Sequence, residues 1–150
     1  MARTFYGNTT GDATGTNWQA GWPKKTFQFV YDFSVVGGTT GSIALTQSDG
    51  PLPNNFIVQN VLMQIKTPLT SVGLATAALT TGQSVGDLVA ATVVAGVPWS
   101  TIGLKVTTVL LGTIATQLLL TADRSPALVV AVANLNGGAF ALFVEGFQGI

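Results

Sequence analysis

Residues 26–36 read TFQFVYDFSVV, and their pattern decides the fold class. Phe27, Phe29, Tyr31, Phe33 and Val35 alternate with Thr26, Gln28, Asp32 and Ser34. Successive side chains leave a strand on opposite faces, so a period of two marks a strand with one apolar side. A helix would instead need apolar residues three and four apart. The spacing predicts a strand over residues 26–36.

The same punctuation continues outward. Residues 37–41 (GGTTG) read as a turn and residues 42–46 as a short returning strand. Residues 48–55 (SDGPLPNN) carry the strongest loop signal in the chain, because Asp, Gly, Pro and Asn each favour turn conformations. A long strand with a bulge is predicted over 56–66, followed by strands over 72–80 and 88–94. The Ala-rich stretches 74–79 and 89–95 also admit short helices. Residues 95–103 form a loop around Val97-Pro98-Trp99. Two hairpins follow: 105–111 with 115–121 around Gly112-Thr113, and 127–134 with 139–147 through Asn136-Gly137-Gly138. Eight or so short strands with regular turn signals predict an all-β fold, a β-sandwich of jelly-roll-like topology.

Residues 1–25 differ. Residues 7–17 (GNTTGDATGTN) have no periodicity and read as an extended N-terminal arm, leaving 26–150 as the β-sandwich domain. Trp18 and Trp22 close the arm. They either cap the domain's own core or anchor on a neighbouring subunit, where aromatic residues dominate the energetics. Lys24-Lys25 reads as a solvated hinge after the arm.

Charge is scarce: six Lys/Arg and six Asp/Glu in 150 residues, or 8%. A soluble domain usually carries about 25%. The net charge is zero, so there is no electrostatic footprint for nucleic acid. There is no Cys or His, which excludes disulfides, zinc fingers, haem ligation and histidine-based triads. The uncharged stretches 106–122 and 125–144 approach the length of a membrane span. Their Thr, Gly and Asn content and β-branched residues speak for strands, so no membrane association is expected. Residues 2–25 hold no apolar signal-peptide core, and synthesis in the cytoplasm without export by the general route is expected. A surface rich in Thr, which occurs 21 times, and poor in charge suits burial against other protein.

No residues assemble into catalytic chemistry. The carboxylates Asp12, Asp32, Asp49, Asp87, Asp123 and Glu145 are scattered. Asp49 and Asp87 both fall in loops, and the reading as turn caps outweighs that as an acid–base pair. Ser100 and Lys105 form no informative dyad. Asp49 with Asn54 and Asn55 is the only calcium candidate, and solvated loop residues are the commoner outcome. No catalytic residue, metal site or cofactor is expected. Asp123-Arg124 reads as a polar turn or, alternatively, as an ion-pair contact with a partner subunit, a setting that favours Arg.

Several phrases in order, YDFSV (31–35) with Gly37-Gly38, DGPLP (49–53), TPLTS (67–71) with ATAA (75–78), and TADRSP (121–126), resemble small virion proteins of tailed bacteriophages that decorate or cement the head. The resemblance spans roughly residues 31–147 and rests on texture and order, not on a catalytic signature. It implies β-sandwich subunits that form a homotrimer on the major capsid protein, an arm reaching to a neighbour, and a place in the virion after assembly in the host cytoplasm. Interface residues expected on this reading are Trp18, Trp22, Trp99 and Arg124. The competing expectation is a carbohydrate- or receptor-binding module of a phage tail or fibre. That module would expose aromatics on one face, with Trp99, Tyr6 and Trp22 as the candidates. An enzyme relying on carboxylates alone is the remote third.

Overall fold

The alternation that begins at Lys24 builds the first strand. In the structure, a computed structural model describing residues 24–84, 86–107 and 118–148, β1 spans Lys24–Asp32. Phe29 and Tyr31 point inward and are fully buried. Lys24 and Lys25 are therefore strand residues and not a hinge. Lys24 pairs with Glu145 at 2.8 Å, and Lys25 Nζ donates to Gln148 Oε1 at 3.3 Å.

The predicted strand over 26–36 ends four residues early. The Asp32 carboxylate accepts from the Ser34 N–H at 2.9 Å and from the Ser34 hydroxyl at 2.6 Å. This caps a single helical turn, α1 (Phe33–Val36). A side chain that satisfies nearby backbone donors offers an alternative to the strand ladder, and the apolar alternation alone does not reveal that competition.

Nine further strands follow: β2 (Gly41–Ala44), β3 (Thr46–Gln47), β4 (Phe56–Ser71), β5 (Thr76–Thr80), β6 (Val89–Val93), β7 (Gly103–Thr107), β8 (Leu118–Leu119), β9 (Ala127–Ala131) and β10 (Leu135–Gln148). The pairing is nested and antiparallel: β1 with β10, β2 with β9, β4 with β7, and β5 with β6. That is one long four-layered hairpin rolled into two sheets, the topology of a jelly roll. The first sheet runs β3-β1-β10-β4-β7 with β8 also on β4, and the second runs β2-β9-β5-β6.

The inner faces make the core. Phe29, Tyr31, Met63, Ile65, Phe140 and Leu142 come from the first sheet, and Ile43, Leu79, Leu128 and Val130 from the second. Burying each such large side chain contributes about 1.5–3 kcal/mol. The Ala-rich stretches at 74–79 and 89–95 supply β5 and β6, not helices.

The expected hairpin between residues 127–134 and 139–147 does not form. β9 lies in the second sheet and β10 in the first. The chain turns at Val132–Asn134, with Val132 at φ 74°. Gly137 and Gly138 lie inside β10, where its register with β4 shifts. A β-carbon on Gly138 would stand 2.8 Å from the Leu69 α-carbon. Glycine there serves the close approach of two strands and not a turn. The other expected hairpin has its turn outside the described residues, and its flanks β7 and β8 both pair with β4.

Candidate interaction surfaces

In a two-layer sandwich the inward residues are apolar and the outward ones ordinarily polar. The first sheet departs from that rule. Its register places Phe143, Leu62 and Val106 in one outward row beside Gln28, and Val30, Ala141 and Leu104 in the next, with Gln64 between the last two and Ala141 itself buried. Toward the start of β1, Phe147, Ile57 and Leu119 make a third row. Leu104 is 62% exposed and Val106 is 74% exposed, on β7, the last strand of this sheet among the described residues. Contiguous exposed apolar surface of this kind marks an interaction site more often than chance.

One ion pair crosses this face. Glu145 stands on β10 between Phe143 and Phe147, bonded to Lys24 at 2.8 Å and accepting from the Asn60 amide at 3.3 Å. The hydrogen bond from Lys24 holds its carboxyl below the usual glutamate range; burial opposes it, and the bond from Asn60 adds to the lowering. The second sheet is also neutral: none of the residues in β2, β5, β6 or β9 is charged.

Trp99, expected to face a partner, is a core residue with 0% exposure. Its indole N–H donates to Thr92 Oγ1 at 2.8 Å, and its ring packs on Phe140 at 5.9 Å between centroids. Phe140 stacks in turn on Tyr31 at 5.3 Å. The three rings form a column between the sheets, capped where the Tyr31 hydroxyl donates to the Gly37 carbonyl at 2.9 Å. Burial, then the negative charge of Asp32, pushes the Tyr31 phenol up to about 12. A lone Trp beside Pro98 suits a surface loop and a core equally well in sequence, and only the packing separates them. Trp18, Trp22 and Tyr6 lie outside the described residues.

Arg124 is half-buried between β8 and β9. Its backbone bonds Leu52 in both directions at 2.8 Å, and a guanidinium nitrogen donates to the Gly82 carbonyl at 3.3 Å. Its Nε is buried with no hydrogen-bond partner among the described residues. The neighbouring Asp123 does not neutralise it, since that carboxylate accepts from the Asn54 N–H at 2.7 Å. Arg124 thus clamps two loops.

The remaining candidates resolve into local structure. Buried Asp87 accepts from the backbone and hydroxyl of Thr81 and from the Ser84 N–H, which staples the β5–β6 connection. Exposed Asp49 accepts from the Gln28 N–H at 3.4 Å. Lys105 donates to Thr101 and not to Ser100. Asn54 bonds the next backbone N–H, that of Asn55. Among the described residues no three His, Cys, Asp or Glu side chains cluster as metal ligands, and no helix is long and apolar enough to cross a membrane.

The chain is therefore an all-β jelly roll whose second-sheet strands carry no charged residue and whose first sheet bears outward apolar rows, exposed at Leu104, Val106 and Leu119. The same fold occurs in a chain of the capsid asymmetric unit of cyanophage Pam1 (TM-score 0.59, 17% identity, 86% of this chain and 87% of that one). It occurs also in the acidic stable capsid structure of Helicobacter pylori bacteriophage KHP30 (TM-score 0.55, 13% identity, 83% and 86%). A chain of the capsid of Ralstonia phage GP4 matches with a TM-score of 0.51 at 17% identity over 86% and 85%. Each matched chain is close to this one in length. No protein-family model and no curated protein sequence matches.

Proposed function

We propose that this chain is a structural, non-enzymatic virion protein that decorates or cements a bacteriophage capsid. The observation that carries the reading is the near end-to-end likeness of fold to chains of similar length in three phage capsid structures. The neutral surface supports it, because few charges need be desolvated when the domain packs against other protein. Copies associate as a homotrimer through the apolar outer face of the first sheet, where Leu62 and Val106 are central. Trp18 and Trp22 anchor the arm on a neighbouring copy, and the Arg124 guanidinium meets a carboxylate across the interface. The trimer sits on the major capsid protein, assembled in the host cytoplasm. The competing tail-module reading loses Trp99, its candidate binding aromatic among the described residues, to the core.

Light scattering at micromolar concentration, combined with addition to phage heads that lack the protein, tests this reading. A trimer that saturates the heads at fixed stoichiometry is expected. Leu62→Lys with Val106→Lys should yield folded monomers, and removal of residues 1–23 should weaken assembly while the β domain stays folded. A wild-type monomer that ignores the heads sinks the reading.

A further inference from the structure

The two ends of the sandwich differ chemically. The β1–β2, β4–β5, β6–β7 and β9–β10 connections gather at one end, as the nested pairing requires. None of them contains a charged residue: they read FSVVGGTT (33–40), VGLA (72–75), VAGVPWSTI (94–102) and VAN (132–134). Each presents an aliphatic side chain to solvent. Val35 is 74% exposed, Val72 80%, Leu74 74%, Val97 70% and Val132 77%. At the opposite end Asp49, Asp87, Asp123 and Arg124 occupy the connections, with Lys24 and Lys25 beside them at the start of β1. Three charged side chains stand on strands at the rim of the apolar end: the Asp32 carboxylate accepts from the Ser34 N–H and hydroxyl with Lys66 nearby, and Lys105 Nζ donates to Thr101 Oγ1.

The apolar end is a built platform and not four independent loops. The Thr40 N–H donates to Asn134 Oδ1 at 2.9 Å, and the Leu135 N–H to the Gly38 carbonyl at 2.7 Å. A β-carbon on Gly73 would stand 3.3 Å from that of Ala133, so the β4–β5 and β9–β10 connections pack together. The Val94 N–H bonds the Ala75 carbonyl at 2.9 Å, and the Leu69 N–H bonds the Trp99 carbonyl at 3.1 Å, fastening the β6–β7 connection to its neighbours. The aromatic column of Tyr31, Phe140 and Trp99 lies beneath. An ordered platform loses little conformational entropy when it docks.

We infer that this apolar loop end is the footprint by which the domain docks on an apolar patch of the capsid shell protein, with the opposite, more highly charged end turned to solvent. The inference rests on the decoration reading above. A ring of copies joined through the outer sheet face leaves both ends free, and charge sorting then assigns them. Water favours the end bearing Asp49, Asp123, Lys24 and Lys25, whereas exposed aliphatic tips gain free energy only when covered. An anionic lipid surface is a poorer occupant, since it attracts Lys and Arg and these four loops carry none.

The test measures co-sedimentation of the full chain with heads of the parent phage assembled without it, at 0.1 M and at 1 M NaCl. Binding of the wild type should change by less than about twofold between the two salts, because the aliphatic anchors carry no charge to be screened. Val72→Glu with Leu74→Glu should weaken binding by about tenfold or more, since two exposed aliphatic anchors are lost. The trimer seen by light scattering should persist in that variant. Ser48→Glu with Ser125→Glu, at the charged end, should bind as the wild type does. Loss of binding in the Ser48/Ser125 variant with retention in the Val72/Leu74 variant overturns the inference. So does loss of the trimer in the Val72/Leu74 variant, or capture of the wild type by phosphatidylcholine–phosphatidylserine vesicles through Val72 and Leu74. Failure of the wild type to bind heads at all is a different result: it overturns the decoration reading itself.

Discussion

The α-carbon of Gly146 lies so tightly against Ile57 that a β-carbon on it would stand 2.0 Å from the Ile57 carbonyl oxygen. The contact falls where the register between β10 and β4 shifts, between Glu145 and Gly146. Only a residue without a side chain lets the last turn of the roll close on its neighbour.

Gly146→Ala should therefore force the two central strands apart. A loss of about 3 kcal/mol is expected from such overpacking against backbone, or roughly 6–12 °C in Tm for a domain of this size. Urea and thermal unfolding measure it, and a Tm within a degree of wild type contradicts the contact.

Trp99 should behave as a core side chain and not as a binding anchor. Trp99→Ala is expected to cost about 3–5 kcal/mol through the cavity it leaves. Trp99→Phe keeps most of the packing and gives up the bond to Thr92, at about 1 kcal/mol. It should also remove a fluorescence component that acrylamide quenches poorly. An emission from Trp99 as quenchable as free tryptophan would place the ring at the surface.

Tyr31 sets an alkaline limit on stability. Its phenol pKa rises from about 10 to about 12, so the folded state resists deprotonation more than the unfolded chain does. The stabilisation is fully present below pH 10 and fades as pH climbs from about 10 through about 12. Tyr31→Phe should remove that pH-dependent segment, while leaving the Gly37 carbonyl without its donor at a cost of about 1 kcal/mol near neutrality. Ultraviolet titration of the phenol, compared with unfolding at the same pH values, measures both effects.

The Lys24–Glu145 pair acts at the acid side. Its carboxyl pKa is depressed, so its contribution is present above the ordinary glutamate value and disappears as pH falls through the lower folded value. Carbon-detected NMR titration should find Glu145 below the usual glutamate range, and Lys24→Met should return it toward that range. An unchanged titration in Lys24→Met would assign the depression to Asn60 instead.

Much of the architecture was legible residue by residue. The alternation around Phe29 and Tyr31, the Asp49–Asn55 loop and the β-branched runs point to strands and turns that the structure contains. The partners of those strands were not legible. The run Leu128–Val130 and the run Phe140–Val144 are neighbours in sequence, and the intervening Asn136-Gly137-Gly138 reads as a hairpin turn. In the fold they belong to different sheets: β10 pairs with β1, the first strand of the roll, and β9 with β2. Periodicity reports which side of a strand meets apolar surroundings, and it carries no information about which distant strand supplies the ladder.

The candidate surfaces divide in the same way. Scarcity of charge was plain from twelve charged residues in 150, but its spatial sorting was not. Leu62, Val106 and Phe143 are separated by dozens of residues, and the register alone aligns them on one outward row. Val72 with Leu74, Val97, and Val132 sit in three separate turns that only the nested pairing gathers at one end. Trp99 moved from surface to core for a similar reason, because its ring packs on Phe140, itself stacked on Tyr31, and both come from remote strands.

Sequence by itself determined the all-β class, the neutrality and such turns as the Asp49–Asn55 loop, since these follow from local backbone preference and side-chain alternation. Tertiary structure alone decided the strand partners, the buried Trp99 and the segregation of apolar and charged ends. Those depend on contacts between residues far apart in the chain, whose free energy appears only once the two sheets have closed on each other.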